Sequence, residues 1–244
     1  MPAHLRLELI AIVIALAAVQ SVFGVGLLVF GTPTLLLLGL PFAQVLAYLL
    51  PCSIVISGLQ IRAGGGLTLD PLRRKFLLIT APLVIAGTAF ILAWGTTLNV
   101  RVLVGVMLLV TGVIRFMDPV RDRAEALIRR RLSLFLAGLG IVHGLSNLGG
   151  GILALIVASS ETDKGEIRRQ IAFAYGLMAI LQLTTLVVTS GLHVVPLLWL
   201  VLPASAALTF TVVGERIFLA TGRDAYQVGL TGLILGFGFV LLLT

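Results

Sequence analysis

The residues best suited to chemistry lie in one short stretch, residues 143–151, which reads His-Gly-Leu-Ser-Asn-Leu-Gly-Gly-Gly. Each glycine costs a helix about 1 kcal/mol relative to alanine, so the three consecutive glycines predict a break in the surrounding apolar segment. A helix that begins after the break exposes N–H groups with partial positive charge, and these bind anions without a basic side chain. The serine and the asparagine add a hydroxyl and an amide. The stretch therefore predicts an anion-binding site formed by His143, Ser146, Asn147, Gly149, Gly150 and Gly151.

A weaker version of this stretch occurs earlier, at residues 20–26, and Gly31 and Pro33 follow it. Gln20 has the relative position of His143, whereas leucines at positions 27 and 28 replace the last two glycines. The alternative is that both sets of glycines only allow helices to pack closely, with the polar side chains bonded to neighbouring helices. We predict that the substrate site also includes Gln20, Ser21, Gly24 and Gly26.

His143 is the titratable side chain that lies deepest in an apolar segment, with no other charge nearby. Ionisable groups inside a membrane usually serve a function, and a histidine can carry the proton of a coupled transporter. A structural histidine held by hydrogen bonds is the alternative. His193 lies at the end of an apolar segment, where an interfacial position is expected.

The apolar segment that follows each glycine-rich stretch also carries polar side chains. Most such residues join membrane helices to each other, and a few line a cavity. The candidate cavity-lining residues are Tyr48, Cys52, Ser53, Tyr175 and Gln182. Cys52 is the single cysteine, and no His, Cys, Asp or Glu spacing matches a metal site, so we predict no metal, no cofactor and no enzyme activity.

The composition determines what must position these residues. Of 244 residues, 59% are hydrophobic and 11% are charged, compared with about 25% charged in a soluble domain. A chain with so few charged residues must have a largely apolar surface, and lipid is the solvent that tolerates such a surface. The sequence therefore predicts an all-α, multi-pass protein with about seven or eight membrane-crossing segments. The predicted apolar segments are residues 7–40, 43–61, 76–94, 100–117, 132–158, 171–189, 194–213 and 225–243.

The two halves of the chain follow the same plan, a glycine-broken segment and then three whole spans. We predict a single membrane domain, residues 1–244, made of a first repeat (1–117), a cytoplasmic linker (118–131) and a second repeat (132–244). Two-fold repeats of this kind are common in secondary transporters.

The charged loops indicate how the chain is oriented. The net charge of +7 lies largely in loops at residues 62–75 and 115–131, which the positive-inside rule places in the cytoplasm, so we predict no nucleic-acid partner. If each broken segment is a re-entrant hairpin, the loops at 161–169 and 215–224 are also cytoplasmic and the second repeat is inverted. The rival arrangement has eight full crossings.

Short motifs in both halves resemble the TauE/SafE (sulfite exporter-like) transporter family. They are Phe-Gly-Val-Gly at residues 23–26 with Pro33 close behind, Leu-Gly-Leu-Pro at 38–41, and residues 145–151 in the second half. The resemblance implies export or uptake of small sulfur-containing or carboxylate anions, such as sulfite or organosulfonates. It also assigns the family's glycine motifs to Gly24, Gly26, Gly149, Gly150 and Gly151. Departures from the family pattern are Leu27 and Leu28 in the first half, and His143, Ser146 and Asn147 in the second.

The sequence therefore predicts a secondary transporter of a small anion in a bacterial or archaeal cytoplasmic membrane, working by alternating access between two breaks that face each other. Its predicted partners are the anion and the lipid bilayer, with proton coupling and a homodimer left open. A channel or cation carrier is an alternative, but it predicts acidic residues deep inside the spans, and every Asp and Glu lies in or near a loop or a terminus. A non-transporting assembly subunit is the other alternative, and it predicts no polar cavity.

Overall fold

The computed structural model of the protein describes residues 3–95, 109, 117–191 and 200–243, and every regular element in these ranges is a helix. The predicted span at 100–117 falls almost wholly outside the described residues, as do His193 and the start of the span at 194–213. The helices are α1 (Ala3–Phe23), α2 (Leu27–Leu37), α3 (Phe42–Ala63), α4 (Pro71–Lys75), α5 (Ala81–Trp94), α6 (Asp118–Arg130), α7 (Leu132–Ser146), α8 (Gly150–Ser160), α9 (Lys164–Ser190), α10 (Val201–Thr209), α11 (Glu215–Ala220) and α12 (Arg223–Leu243).

Among the described residues, five helical stretches are long and apolar enough to cross a membrane, which confirms the prediction of an all-α, multi-pass membrane protein. Two of these stretches contain one π-helical turn each and are otherwise α-helical. The first π turn, Phe76–Thr80, joins α4 to α5, and the second, Phe210–Gly214, joins α10 to α11. In the first π turn, the Thr80 hydroxyl donates a hydrogen bond to the Leu136 carbonyl of α7 at 3.1 Å.

The charged segments predicted as loops are largely helical. Asp70 caps α4 by accepting a hydrogen bond from the backbone N–H of Arg73 at 2.8 Å, and Asp163 caps α9 in the same way from Glu166 at 2.9 Å. These caps start each helix one to two turns before its predicted apolar segment begins. The segment predicted as a cytoplasmic linker is also helical and forms α6. Hydropathy marks only the lipid-facing part of a helix, so the sequence reading placed these boundaries too late.

Each glycine-rich stretch breaks a helix as predicted, and a left-handed residue makes the break. Gly24 has φ +78° between α1 and α2, and Asn147 has φ +62° between α7 and α8. Asparagine is one of the few non-glycine residues that adopts this conformation readily. The arms α2 and α8 have 11 residues each and α7 has 15, whereas α1 has 21.

Each pair of arms folds back on itself as a hairpin. The Arg129 guanidinium, just before α7, donates to the Ser159 carbonyl at the end of α8 at 2.9 Å, so both ends of the α7–α8 hairpin meet. In the α1–α2 hairpin, Gly31 lies against the side chain of Leu16, which a helix continuing straight past the break could not allow. Whether either hairpin re-enters the bilayer without crossing it stays a prediction.

The charged segments 62–75, 161–170 and 215–223 meet at one end of the molecule, called here the charged end. Arg73 lies 3.2 Å from Glu166, Gln170 donates to Asp70 at 2.6 Å, and a third pair joins α9 to α11. Eight full crossings would place 161–169 on the opposite side from 62–75, so these contacts favour the hairpin arrangement.

Helices from the two halves pack in a reciprocal way around the α3–α9 pair, which makes the most extensive contact. α5 packs against α7, while α10 and the second π turn pack against α1. Each half therefore supports the other half's first hairpin arm. The inverted relation of the two repeats is consistent with this packing and stays a prediction.

Candidate functional site

Helix α9 runs past the turn of both hairpins and shows how far apart they lie. The turn of the α1–α2 hairpin (residues 20–26, the first tip) contacts Arg168, and that of the α7–α8 hairpin (residues 143–150, the second tip) contacts Gln182. These residues are roughly 21 Å apart along the helix at ~1.5 Å per residue. The sequence predicted that the two tips face each other at one level, but in the structure they lie at different levels along α9. Instead the second arms α2 and α8 begin close together, with Val29 against Gly150.

Both tips are built in the same way. Gln20 accepts a hydrogen bond from the Leu27 N–H at 3.1 Å, and His143 accepts one from the Gly149 N–H at 3.3 Å through Nδ1. Each side chain therefore bonds one of the free N–H groups at or just before the start of the second arm. The equivalence of Gln20 and His143 that the sequence suggested is thus a structural one.

The carbonyls released at the end of each first arm are also capped in parallel. The Gln60 amide donates to the Gln20 carbonyl at 2.7 Å, and the Gln182 amide donates to the His143 carbonyl at 3.2 Å. The next carbonyl along is treated differently: Arg168 donates to that of Ser21 at 3.1 Å, whereas the Thr88 hydroxyl donates to that of Gly144 at 3.1 Å. A buried cation therefore holds the first tip, and a neutral hydroxyl holds the second.

Arg168 contacts the first tip, and the sequence analysis did not single it out because it was counted only as a loop charge. Its side chain is buried, forms a two-pronged ion pair with Glu215 at 2.7 and 3.2 Å, and lies 3.5 Å from the centre of the Phe218 ring. A cation at a helix C-terminus is favourable because the last carbonyls carry partial negative charge. No spacing pattern in the sequence reveals this contact, because it depends on how the first hairpin folds back.

The polar side chains of the first tip are bonded within the protein. Gln20 donates its amide to Ser53 at 3.3 Å, and the Ser21 hydroxyl donates to the Ala17 carbonyl at 2.6 Å. Gly24 lies against Ile171, and Gly26 lies against the backbone of Gln20. The side chains of Gln20 and Ser21 each therefore donate to an acceptor within the protein.

The second tip is tied to the first hairpin through Asn147. Its amide donates to the Thr32 hydroxyl on α2 at 2.8 Å. Ser146 donates its hydroxyl to the Val142 carbonyl one turn back at 2.6 Å, so that donor is already used. Thr32 is a second residue that the sequence reading did not single out.

Glycine is required at the start of α8 because other groups approach its backbone closely. A Cβ atom on Gly150 would overlap both Val29 and the Tyr175 hydroxyl, and one on Gly149 would lie 2.9 Å from the Cβ of His143. Gly151 is buried beside them. The first N–H groups of α8 have no acceptor within the helix. The Tyr175 hydroxyl lies against Gly150, and it is therefore next to these N–H groups.

Within the described part of the chain, four buried polar atoms around the second tip have no hydrogen-bond partner. They are His143 Nε2, Asn147 Oδ1, the Tyr175 hydroxyl and Gln182 Oε1. Because Nδ1 of His143 accepts a hydrogen bond, Nε2 carries the hydrogen and is a donor. The histidine and tyrosine rings lie edge to face with their centres 5.9 Å apart. Leaving such a group unpaired costs about 1–3 kcal/mol, so four together point to a site that a ligand satisfies.

The structure thus divides the predicted site residues into two groups. The second tip brings together His143, Ser146, Asn147, Gly149, Gly150, Gly151, Tyr175 and Gln182. The first tip holds Gln20, Ser21, Gly24, Gly26 and Ser53. Cys52 and Tyr48 lie on α3 and are bonded to each other, with the thiol donating to the Tyr48 carbonyl at 3.2 Å.

Comparison with known proteins identifies the family. Searches of curated proteins and of solved structures find no match. The profile described as "Sulfite exporter TauE/SafE" matches residues 9–241, which includes both hairpins and nearly the whole chain. With its several membrane-spanning helices, this multi-pass protein of the cytoplasmic membrane therefore belongs to the sulfite exporter TauE/SafE family of transporters.

Proposed function

We propose that this protein is a secondary transporter that carries sulfite, an organosulfonate or a related sulfur-containing or carboxylate anion by alternating access, and that the anion binds at the second tip. The observation that carries this proposal is the group of unpartnered, buried polar atoms around the start of α8. Family membership supports the substrate class, and the second tip supports the place.

The chemistry of the second tip suits an anion. Within the described residues, His143 Nε2–H and the Tyr175 hydroxyl are donors without a partner, and the N-terminus of α8 adds partial positive charge. The other two unpartnered atoms, the amide oxygens of Asn147 and Gln182, are acceptors. Lys and Arg are absent from residues 143–151, so the charge of the anion would be balanced by dipoles alone. Such a site holds an anion without the strong attraction of a full cation, which helps release on the other side of the membrane.

The first tip is assigned a different role. Its donors are engaged within the protein and its freed carbonyls face Arg168 and Gln60. We propose that it closes the path at the charged end, so Gln20 and Ser21 act on substrate only through this closure.

We further propose that transport is coupled to protons and that His143 carries the proton. The ring is buried, its Nδ1 faces the N–H of Gly149, and its Nε2 is free within the described residues. Protonation at Nδ1 would break the bond to Gly149 and loosen the start of α8 where the anion binds.

The test is flux through the purified, full-length protein in proteoliposomes loaded with sulfite or sulfoacetate, with and without a proton gradient. We expect saturable flux that Asn147→Leu abolishes and that His143→Gln uncouples from the proton gradient. Thr211→Val is the control, because this exposed hydroxyl bonds only within its own helix. Absence of saturable flux for these anions under either gradient would overturn the proposal, and so would full activity of Asn147→Leu.

A further inference from the structure

A cavity of about 230 Å³ opens at the charged end, well away from the second tip. It lies between the start of α4, the end of α6 and the two ends of the α7–α8 hairpin. Its lining residues are Pro71, Leu72, Lys75, Arg129, Leu132, Ser159 and Ser160. The transport mechanism proposed above uses none of them.

The charges around this cavity are unbalanced. Lys75 has no carboxylate partner among the described residues, and Arg129 has a single one, Glu125, at 3.5 Å. Glu161 follows Ser160 in the chain but is not a lining residue, and burial first, and then Glu166 and Asp70, raise the pKa of its carboxyl. The lining therefore carries a net positive charge from Lys75 and Arg129, and Ser159 and Ser160 add two hydroxyl groups.

The cavity also has an apolar side that faces outward. Leucine and proline form the rest of its lining, and Leu78 and Leu134, which follow Lys75 and Leu132 closely in the chain, are 67% and 69% exposed. The cavity lies where the Pro71–Trp94 span begins, and the positive-inside rule places this end at the cytoplasmic leaflet. A cation at the membrane surface above exposed leucines matches a phosphate that carries acyl chains.

We propose that this cavity binds the phosphate headgroup of an anionic phospholipid of the cytoplasmic leaflet. Lys75 and Arg129 hold the phosphate, and the acyl chains lie along Leu78 and Leu134. Basic pockets between membrane helices on the cytoplasmic side bind anionic headgroups in this way. Because Arg129 also bonds the Ser159 carbonyl, the bound lipid would steady the return of the α7–α8 hairpin that carries the second tip.

The test is lipid binding to the delipidated full-length protein, measured by native mass spectrometry with phosphatidylglycerol, phosphatidylcholine and inorganic phosphate. The double variant Lys75→Gln/Arg129→Gln removes both pocket cations. The matched control Arg74→Gln/Arg130→Gln removes the same charge from exposed neighbours outside the pocket. We expect about a fivefold loss of phosphatidylglycerol affinity per pocket cation removed, and less than about twofold for the control pair.

Three outcomes would overturn the proposal. Equal losses in both double variants would mean general charge attraction, equal binding of phosphatidylcholine would mean that the phosphate is not recognised with its charge, and displacement of lipid by millimolar phosphate would point to free phosphate instead. If Arg129→Gln prevents folding, the single pair Lys75→Gln and Arg74→Gln gives the same comparison. The Lys75 side chain has no hydrogen bond or ion pair within the described residues, so that pair decides the matter.

Discussion

Tyr175 and Tyr226 are both fully buried, yet only one of their hydroxyl groups is bonded. Tyr226 donates to the Phe23 carbonyl at 3.0 Å, where it helps to hold the first tip. The Tyr175 hydroxyl has no partner within the described residues and stands against Gly150. A hydroxyl retained at such a cost is expected to work on a ligand rather than on stability.

We expect Tyr175→Phe to leave the free energy of unfolding unchanged or raised, because it removes an unpaired polar group, while sulfite flux falls about tenfold. Tyr226→Phe should instead lower the free energy of unfolding by about 1 kcal/mol, because it breaks a buried hydrogen bond, with flux retained. Denaturant unfolding in detergent and proteoliposome flux measure both quantities. Wild-type flux in Tyr175→Phe would contradict the assignment of this hydroxyl to the anion.

Gly150 and Gly138 form a second contrast at this scale. We expect Gly150→Ala to destabilise the protein by about 1–3 kcal/mol, because the added methyl overlaps Val29 and the Tyr175 hydroxyl. Gly138→Ala meets open space within α7 and should be neutral or stabilising by up to ~1 kcal/mol. Thermal unfolding distinguishes the two, and adding Tyr175→Phe to Gly150→Ala should recover part of the loss. Similar effects of the two glycine changes would show that the close contact at Gly150 is not needed.

At the scale of single residues, the sequence predicted the second tip better than the first. Glycine and asparagine reveal a break because their backbone preferences are local, and His143 stands out because a titratable group is rare in an apolar segment. Thr32, Val29 and Arg168 reach the tips only through contacts between distant segments, and the sequence carries no local sign of those contacts.

At the scale of elements, the first hairpin is held by an ion pair that two later helices supply. Arg168 on α9 and Glu215 on α11 meet beneath the end of α1, and the side chain of Glu215 is 24% exposed. Breaking a buried pair leaves the remaining charge uncompensated, which costs about 3–5 kcal/mol when both groups are fully buried.

We expect Glu215→Gln to lower the free energy of unfolding by roughly 2–3 kcal/mol, below the range for a fully buried pair because Glu215 keeps some contact with solvent. Asp224→Asn is the matched control, an exposed carboxylate in the first turn of α12, and should cost less than about 1 kcal/mol. Unfolding of the two variants in the same detergent checks this. Equal stability of both variants would mean that Arg168 finds another partner.

Element boundaries were the least predictable part of the fold. The apolar pattern located each span, but capping by Asp70 and Asp163 extends the helices into charged sequence. The two π turns add a residue to each rod without any change in hydropathy, so nothing in the pattern indicated them. The folding back of α2 and α8 was one of the two arrangements left open, and charge placement favoured it, whereas the full length of α1 was not predicted.

At the scale of the whole molecule, we predict that the charged end faces the cytoplasm and that the opposite end faces the outside. In a Cys52→Ala background, we expect Leu67→Cys and Gly222→Cys to react with an impermeant maleimide only from the cytoplasmic side. Leu38→Cys lies at the far end of α3 and should react only from outside. Right-side-out and inside-out vesicles give the comparison. Labelling of position 222 from outside would support eight full crossings instead of two hairpins.

Helix α9 touches the first tip through Arg168 near one end, the second tip through Gln182 near the other, and Gly150 through Tyr175 roughly midway. A helix is stiff over this length, so we expect any tilt of α9 to pivot near Tyr175. Such a tilt would move one end of α9 away from its tip and the opposite end toward the other tip. If the rod moves in this way, a solute beside Tyr175 meets only one side of the bilayer at a time.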